Sequence, residues 1–561
     1  MARLAAGLAL ALGVTSLGPA LSATAEVTSE APDVGAAPAY TPPPIDWGRC
    51  ADQFFTFFGM ECGYLIVPLD HADPGGETIE LAVSRLRHTS APSRFKGVML
   101  TNPGGPGGSG LFLPVIGSSV PFGAGEEWDW IGMDPRSVGS SVPRLVCDTS
   151  YADAPRPGYQ PGADGETGDW IARARGYAQS CGDARASRIL DHLRTEDVVA
   201  DLELLRIALG QEKVGFYGYS WGSYLGQVYA TQHPASLSRL VLDANVDAAE
   251  VWYPANLAQS RAVDRTLQAF FRYLGRYDRQ FRLGKGRAAV ERTYLRLRDR
   301  LDRRPIDGVG SSELADAVST VAYSSQLWPV VGQALSTIDR RGRVGLAKRL
   351  LGTPGPQQDN AYASYLGTLC TDAPFPTDLR TWLLDASANA EVAPLSTWAN
   401  TWANLPCRTW PAAAQPAVEV DGSGVDIPVL LAGTTGDAPT PFAGSVATRE
   451  RFPTASLVAG VGGRDHGFSL QGNRCVDTIV ARYLRYGVVP QRLDGRRFDT
   501  ACEVPKPTLD FFFGPTFFRS VPDQSSTQRR GDRGTRRQKV ELTRAQKIEL
   551  LLDRAAIPGR G

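Results

Sequence analysis

Short apolar runs divided by polar, glycine-rich turns recur along the first half of the chain. Gly97–Thr101, Trp128–Met133, Val214–Tyr217 and Arg239–Asp243 each read as a strand, and Pro428–Ala432 repeats the pattern much later. These runs do not alternate apolar with polar, which fits strands covered on both faces. Between them, Val198, Leu202, Leu205 and Leu209 recur at helical spacing, so Thr195–Leu209 reads as a helix with Thr195 as N-cap. From about Ile45 the alternation of strands and helices predicts the α/β class, a mostly parallel sheet with helices on both faces.

After Asp247 the rhythm changes. Residues 248–426 read as helical, with runs at Arg261–Leu274 and Ala288–Leu301, and with Trp328, Trp382, Trp398, Trp402 and Trp410 spread among them. A helical insertion between two halves of a sheet predicts a cap over an active site, which partitions the chain into a core at 45–247, a cap at 248–426 and a second core part at 427–503. No internal repeat is evident. Residues 26–44, rich in Ala, Pro, Thr and Ser, predict a disordered leader. The tail 504–561 carries Phe511–Phe513 and Phe517–Phe518, expected to pack against the domain. A basic stretch from Arg529 to Lys539 follows, then an amphipathic run at Glu541–Ala555. Composition makes most of this tail a loosely ordered appendage.

The N-terminus has the layout of an export signal. Arg3 precedes an apolar stretch, Leu4–Leu17, and Ala23-Thr24-Ala25 offers a cleavage site, so 1–25 is expected to be removed. No later apolar run approaches the roughly 20 residues of a spanning helix, so stable membrane insertion is not expected. The chain has 59 basic and 59 acidic residues, which gives no net field toward nucleic acid or an anionic membrane. Eight cysteines in an exported chain point to disulfides. They fall into four sequential pairs: Cys50–Cys62, Cys147–Cys181, Cys370–Cys407 and Cys475–Cys502. None has C-x-x-C zinc spacing.

The chemistry is carried by a few motifs. Gly218-Tyr219-Ser220-Trp221-Gly222 matches G-x-S-x-G and lies between a predicted strand and a predicted helix, the setting of a nucleophile elbow. Such a turn lifts the Ser220 hydroxyl above the sheet and aims the Trp221 amide at a developing oxyanion. The glycine-rich loop Asn102–Gly110 follows a strand and lacks the endings of phosphate-binding loops; Gly105 is the expected second oxyanion donor. A serine nucleophile needs a base, and the chain has five histidines. His71, His88 and His192 precede the serine, and His233 closes the elbow helix on its solvent side. His466, in Gly462–Gly467 after the last predicted strand, stands where the order serine, acid, histidine puts the base. Asp437 in Gly436-Asp437-Ala438-Pro439 follows a strand and is the expected acid, with Asp243 and Asp465 as rivals. A Ser-His-Asp mechanism needs no cofactor.

With these motifs in order, the chain resembles the tripeptidyl aminopeptidase and proline iminopeptidase relatives among the α/β-hydrolase serine peptidases, of the secreted actinobacterial type. The resemblance rests on Gly104–Gly110, Met133-Asp134-Pro135-Arg136, Gly218–Gly222, Gly436-Asp437 and Asp465-His466-Gly467, and it covers about Trp47 to Cys502. It implies an α/β-hydrolase fold, an acyl-enzyme on Ser220 with His466 and Asp437 completing the triad, and an extracellular place of work. It also implies release of short peptides from free N-termini, with the substrate amine held by cap acids. Glu250, Asp264, Asp316 and Asp372 are all candidates for that role. Ser137 stands where relatives often have glycine in D-P-R-G, which puts the local backbone in question. A carboxylesterase with the same triad, or a non-catalytic binding protein on the same fold, are the alternatives.

Overall fold

The computed structural model describes residues 40–162 and 167–509. The expected signal peptide, most of the leader, the phenylalanine cluster and the amphipathic run of the tail lie outside the described residues. Among the described residues ten strands form one sheet: β1 (Gly48–Arg49), β2 (Glu61–Pro68), β3 (Thr78–Leu86), β4 (Gly97–Asn102), β5 (Trp128–Met133), β6 (Val214–Tyr219), β7 (Leu237–Asp243), β8 (Val429–Thr434), β9 (Ala455–Val461) and β10 (Thr500–Glu503). Their order is β1-β2-β3-β5-β4-β6-β7-β8-β9-β10. The first four of that order pair antiparallel, and every later neighbour is parallel.

The strands read from apolar runs all form, within two residues of their expected ends. Successive side chains enter opposite faces, as a pleat requires. Val98, Leu100, Leu240, Leu242, Val429 and Leu431 join one core cluster, while Met99, Val241, Leu430 and Ala432 join another. His466 does not follow the last strand: β10 comes later and pairs parallel with β9. That strand is four residues long and tied by Cys502 to Cys475, so it left little pattern to read. All four disulfides follow the sequential pairing.

The predicted helix near 195 spans Thr195–Ala208, with Val198, Leu202 and Leu205 buried. Its N-cap is Arg194 rather than Thr195. The Thr195 amide and hydroxyl instead donate to Asp372 at 2.6 and 2.7 Å, because a carboxylate brought in from the insertion outcompetes self-capping.

Between β7 and β8 the chain makes a series of helices from Tyr253–Arg276 to Thr397–Asn404, then runs from 411 to 428 without helix or strand. The helical part thus ends before the expected boundary at 426. Its first half builds a separate core around Phe270, Phe271, Trp328 and Leu335. Its second half, including Tyr362, Leu366, Trp382, Trp398, Trp402 and Trp410, shares the core of the sheet's own helices. The insertion is therefore rooted in the domain through continuous apolar packing. Among the described residues no helix is long and apolar enough to cross a membrane.

Candidate active site

The strand β6 ends at Tyr219 and a helix, Trp221–Gln232, starts two residues later. Ser220 between them has φ 59° and ψ −128°, a strained conformation for a residue with a Cβ. The turn is held by the Ser220 amide, which donates to Asp243 O at 3.0 Å on the neighbouring strand β7. Glycine is required on both flanks: a Cβ at Gly218 would stand 2.1 Å from Gly222 O, and one at Gly222 2.6 Å from Asn102 O. Trp221 opens the helix, so its amide lies among the N–H groups left unbonded at a helix start.

The loop after β4 passes directly over this elbow. A Cβ on Gly104, at φ +92°, would lie 2.6 Å from Ser220 Cβ and 2.9 Å from Trp221 N, so only glycine permits the approach. Asn102 Oδ1 accepts the Gly104 amide at 2.8 Å, and buried Asp134 accepts Ser109 Oγ, the Gly110 amide and the Ser140 amide at 2.5, 2.9 and 2.8 Å. Arg136, buried nearby, grips Asp201 with two donors and also bonds the carbonyls of Leu69, Pro68 and His192. Ser137 has a left-handed backbone, at φ 73°, in the region that favours glycine. Its hydroxyl meets Ser364 Oγ at 2.8 Å and its carbonyl accepts Asn360 Nδ2 at 2.7 Å, so the insertion holds the strained residue in place.

Asp437 and His466 come together. His466 Nδ1 is 3.0 and 3.1 Å from the two carboxylate oxygens of Asp437, which is 4% exposed. Asp437 Oδ1 also accepts the Thr440 amide at 3.0 Å, and Thr440 Oγ1 lies 3.3 Å from His466 Nδ1. The rival acids serve the same loop without touching the imidazole. Asp243 Oδ2 accepts the amides of Phe468 and Ser469 and the Ser469 hydroxyl at 2.8, 2.6 and 2.5 Å, and burial raises its pKa. Asp465, also raised by burial, turns away to Ser325. Three of the remaining histidines are engaged elsewhere. His71 sits between Asp201 and Arg136, and His88 pairs with Asp129. His233 is half-buried against Tyr229 rather than solvated, and that burial lowers its pKa.

The insertion reaches the His466 loop at three consecutive residues. Arg464 Nη1 donates to Thr266 Oγ1 at 3.2 Å, Asp465 Oδ1 accepts the Ser325 amide at 2.6 Å, and the His466 amide donates to Tyr323 O at 2.9 Å. The Tyr323 ring stands edge-on to the imidazole at 5.5 Å. Tyr323 and Ser325 are the participants the sequence did not reveal, since nothing local marks a contact across some 140 residues. Thr440 had a faint signal, an aspartate three residues upstream ready to accept its amide.

Ser220, Trp221, Gly105 and His466 line one cavity of about 1700 Å³. Phe54, Phe112, Trp252 and Tyr365 contribute apolar wall, and Asn245, Asp247, Glu250, Asn256 and Asn400 contribute polar groups. Of the four cap acids considered, Glu250 lines it. Asp264 accepts the Leu395 amide at 2.9 Å, Asp316 pairs with Arg156, and Asp372 is buried against Thr195 and Trp252 Nε1. Asp247 joins Glu250 at the wall, with one oxygen on Arg451 at 2.8 Å. Asn245 is fully buried, and its Oδ1 accepts no hydrogen bond among the described residues.

The family model described as alpha/beta hydrolase fold matches residues 97–336, and one described as TAP-like protein matches residues 393–502. A tripeptidyl aminopeptidase of Streptomyces lividans is 35% identical over 82% of this chain and 86% of its own length. Serine protease Hip1 of Mycobacterium tuberculosis is 29% identical over 80% of this chain and 90% of that protein. A protein named carboxylesterase B, also from M. tuberculosis, is 27% identical over 82% and 92% of the two chains.

Proposed function

Because the chain belongs to the tripeptidyl aminopeptidase family of α/β-hydrolases, we propose that it is a serine aminopeptidase that releases tripeptides from free peptide N-termini through an acyl-enzyme on Ser220. The observation that carries this reading is the bond of His466 Nδ1 to Asp437, made beside the cavity that His466 and Ser220 both line. With Nδ1 turned to the carboxylate, Nε2 is the nitrogen left to take the Ser220 proton. Ser220 Oγ attacks the scissile carbonyl and His466 accepts its proton. The amides of Gly105 and Trp221 receive the charge on the carbonyl oxygen. His466 then returns the proton to the leaving amine, and water, activated by the same imidazole, frees the tripeptide. Asp437 orients the ring and stabilises its charged form without taking the proton.

Acids at the cavity wall favour a peptidase over an esterase. Glu250 supplies negative charge, Asp247 adds what Arg451 leaves unbalanced, and the unpaired Asn245 Oδ1 supplies an acceptor, in the segment that follows β7. A protonated α-amine needs this combination, while a neutral ester does not. The four disulfides support work outside the cytoplasm. The test is to compare a free-amine tripeptide anilide with its N-acetylated twin. The free peptide is expected to be cleaved with kcat/KM at least about 100-fold higher, and Glu250→Gln should raise its KM. Equal turnover of both, or turnover of a short aryl ester alone, would move the assignment to an esterase.

A further inference from the structure

The insertion's first long helix, Tyr253–Arg276, gives the cavity a second charged wall, of opposite sign. Arg261 and Arg265 both line the cavity. Their four-residue spacing puts them on one face, about 6 Å apart along the axis. Arg261 Nη1 donates to Asn389 Oδ1 at 2.7 Å, which fixes the guanidinium and leaves its other donors available. Arg265 has no hydrogen-bond or ion-pair partner among the described residues. Arg464, two residues before the base, is half-buried and leans on the same helix through Thr266 Oγ1. Its pKa is held below the ordinary value by burial, and then by the neighbouring Arg272 and Arg265 guanidiniums.

The nearby carboxylates answer these charges only in part: Asp264 attracts Arg265 through space but makes no hydrogen bond to it. Asp264 turns inward to the Leu395 amide, Asp465 is taken by Ser325, and Glu291 pairs with Arg287. The chain as a whole balances 59 bases with 59 acids, so this excess is local. Arg261 and Arg265 are exposed and Arg464 is half-buried, so water screens part of their mutual repulsion; an anion that binds there relieves the rest. An arginine fork suits a carboxylate, which it can engage with two parallel bonds.

We propose that Arg265, flanked by Arg261 and backed by Arg464, is a carboxylate subsite for the leaving part of a short peptide. The carboxylate is either the substrate's own C-terminus or an acidic side chain. The assignment rests on the aminopeptidase reading, with the substrate ammonium held at Asp247 and Glu250. From Tyr253 to Arg265 the helix rises about 18 Å, the length of roughly five extended residues.

The test uses the full chain and four pentapeptides with free N-termini and a common sequence. One ends in a carboxylate and one in a neutral amide. The other two are amides with Glu or Lys as the last residue. Tripeptide release is followed by chromatography. A subsite for the C-terminus predicts a KM for the acid about five- to ten-fold below that of the neutral amide; a subsite that also takes side chains extends this to the Glu amide. Arg265→Gln should bring the favoured peptides to the level of the neutral amide with kcat within about two-fold, Arg261→Gln should do so in part, and 0.5 M salt should shrink the preference. Equal kcat/KM for all four in the unsubstituted protein, or an equal loss for all four in Arg265→Gln, would overturn the subsite alone. No cleavage of any of the four would overturn the aminopeptidase reading and the subsite with it.

Discussion

Asp465 holds Ser325 across 140 residues of chain: its Oδ1 accepts the Ser325 amide at 2.6 Å, and its two oxygens meet the Ser325 hydroxyl at 2.9 and 3.0 Å. The next residue is His466, whose own amide bonds Tyr323 O. The insertion therefore helps to position His466 and its loop. Nearby, Ala438 beside Asp437 packs on Ala262 and Ala322, and Gln259 donates to Pro439 O at 3.0 Å.

Loss of this link should show in turnover rather than in binding. Asp465→Ala is expected to lower kcat about 10- to 100-fold, the scale of a small misplacement of a catalytic group, with KM within about two-fold. Ser325→Ala, which keeps the backbone bond, should cost less, and Ser325→Thr should restore most of it. The measurement is kcat per folded molecule on a tripeptide anilide and on a short aryl ester. Equal losses on both are predicted; an unchanged kcat would mean the link is a packing detail.

Asp437→Asn keeps the shape of the side chain but no longer selects the Nδ1-protonated imidazole. A fall in kcat of about 10⁴-fold is expected at neutral pH, with thermal stability little changed. Loss of less than ten-fold would return Asp243 or Asp465 to consideration as the acid.

Asp372 predicts a pH dependence of stability. Burial pushes its pKa from the ordinary 3.8 to about 7, against the lowering effect of bonds from Thr195 and Trp252. The folded state thus holds the proton more tightly than the unfolded chain. Its stabilising contribution is full below about pH 4 and is lost as pH rises toward 7. Chemical unfolding of wild type and Asp372→Asn between pH 4 and 8 should show the variant gaining on wild type by up to the order of 4 kcal/mol, with no further change above about pH 7.5. A parallel pair of curves would refute the assignment.

The Cys370–Cys407 bridge closes a separation of 37 residues within the half of the insertion that shares the sheet's core. Replacing both cysteines by serine should cost about 4 kcal/mol by loop-closure entropy, read from denaturant unfolding. A loss below about 1 kcal/mol would show that apolar packing alone fixes this segment.

Much of the frame was legible because its signals are local. Val214–Tyr219 and Leu237–Asp243 are apolar runs, the elbow is a pentapeptide, and the order Ser220, Asp437, His466 follows the chain. Other features are decided by distant parts meeting. Asp372 and Trp221 took the Thr195 hydroxyl that a cap would have turned to an amide two or three residues on, and β10 formed on the edge of β9 from a run too short to announce itself. Tyr323 and Ser325 reach the His466 loop from some 140 residues away in the chain. The acids showed the same divide: sequence offered Glu250, Asp264, Asp316 and Asp372 alike, while packing left Glu250 at the cavity and added Asp247.

The central claim is that Ser220 carries the tripeptide as an ester during aminopeptidase turnover. Its most direct test is product analysis by mass spectrometry on a free-amine hexapeptide, using wild type and Ser220→Ala. The account predicts an N-terminal tripeptide as the first product of wild type, and a loss of at least about 10⁴-fold in Ser220→Ala. Release of single residues or internal fragments, or activity that survives the substitution, would contradict it.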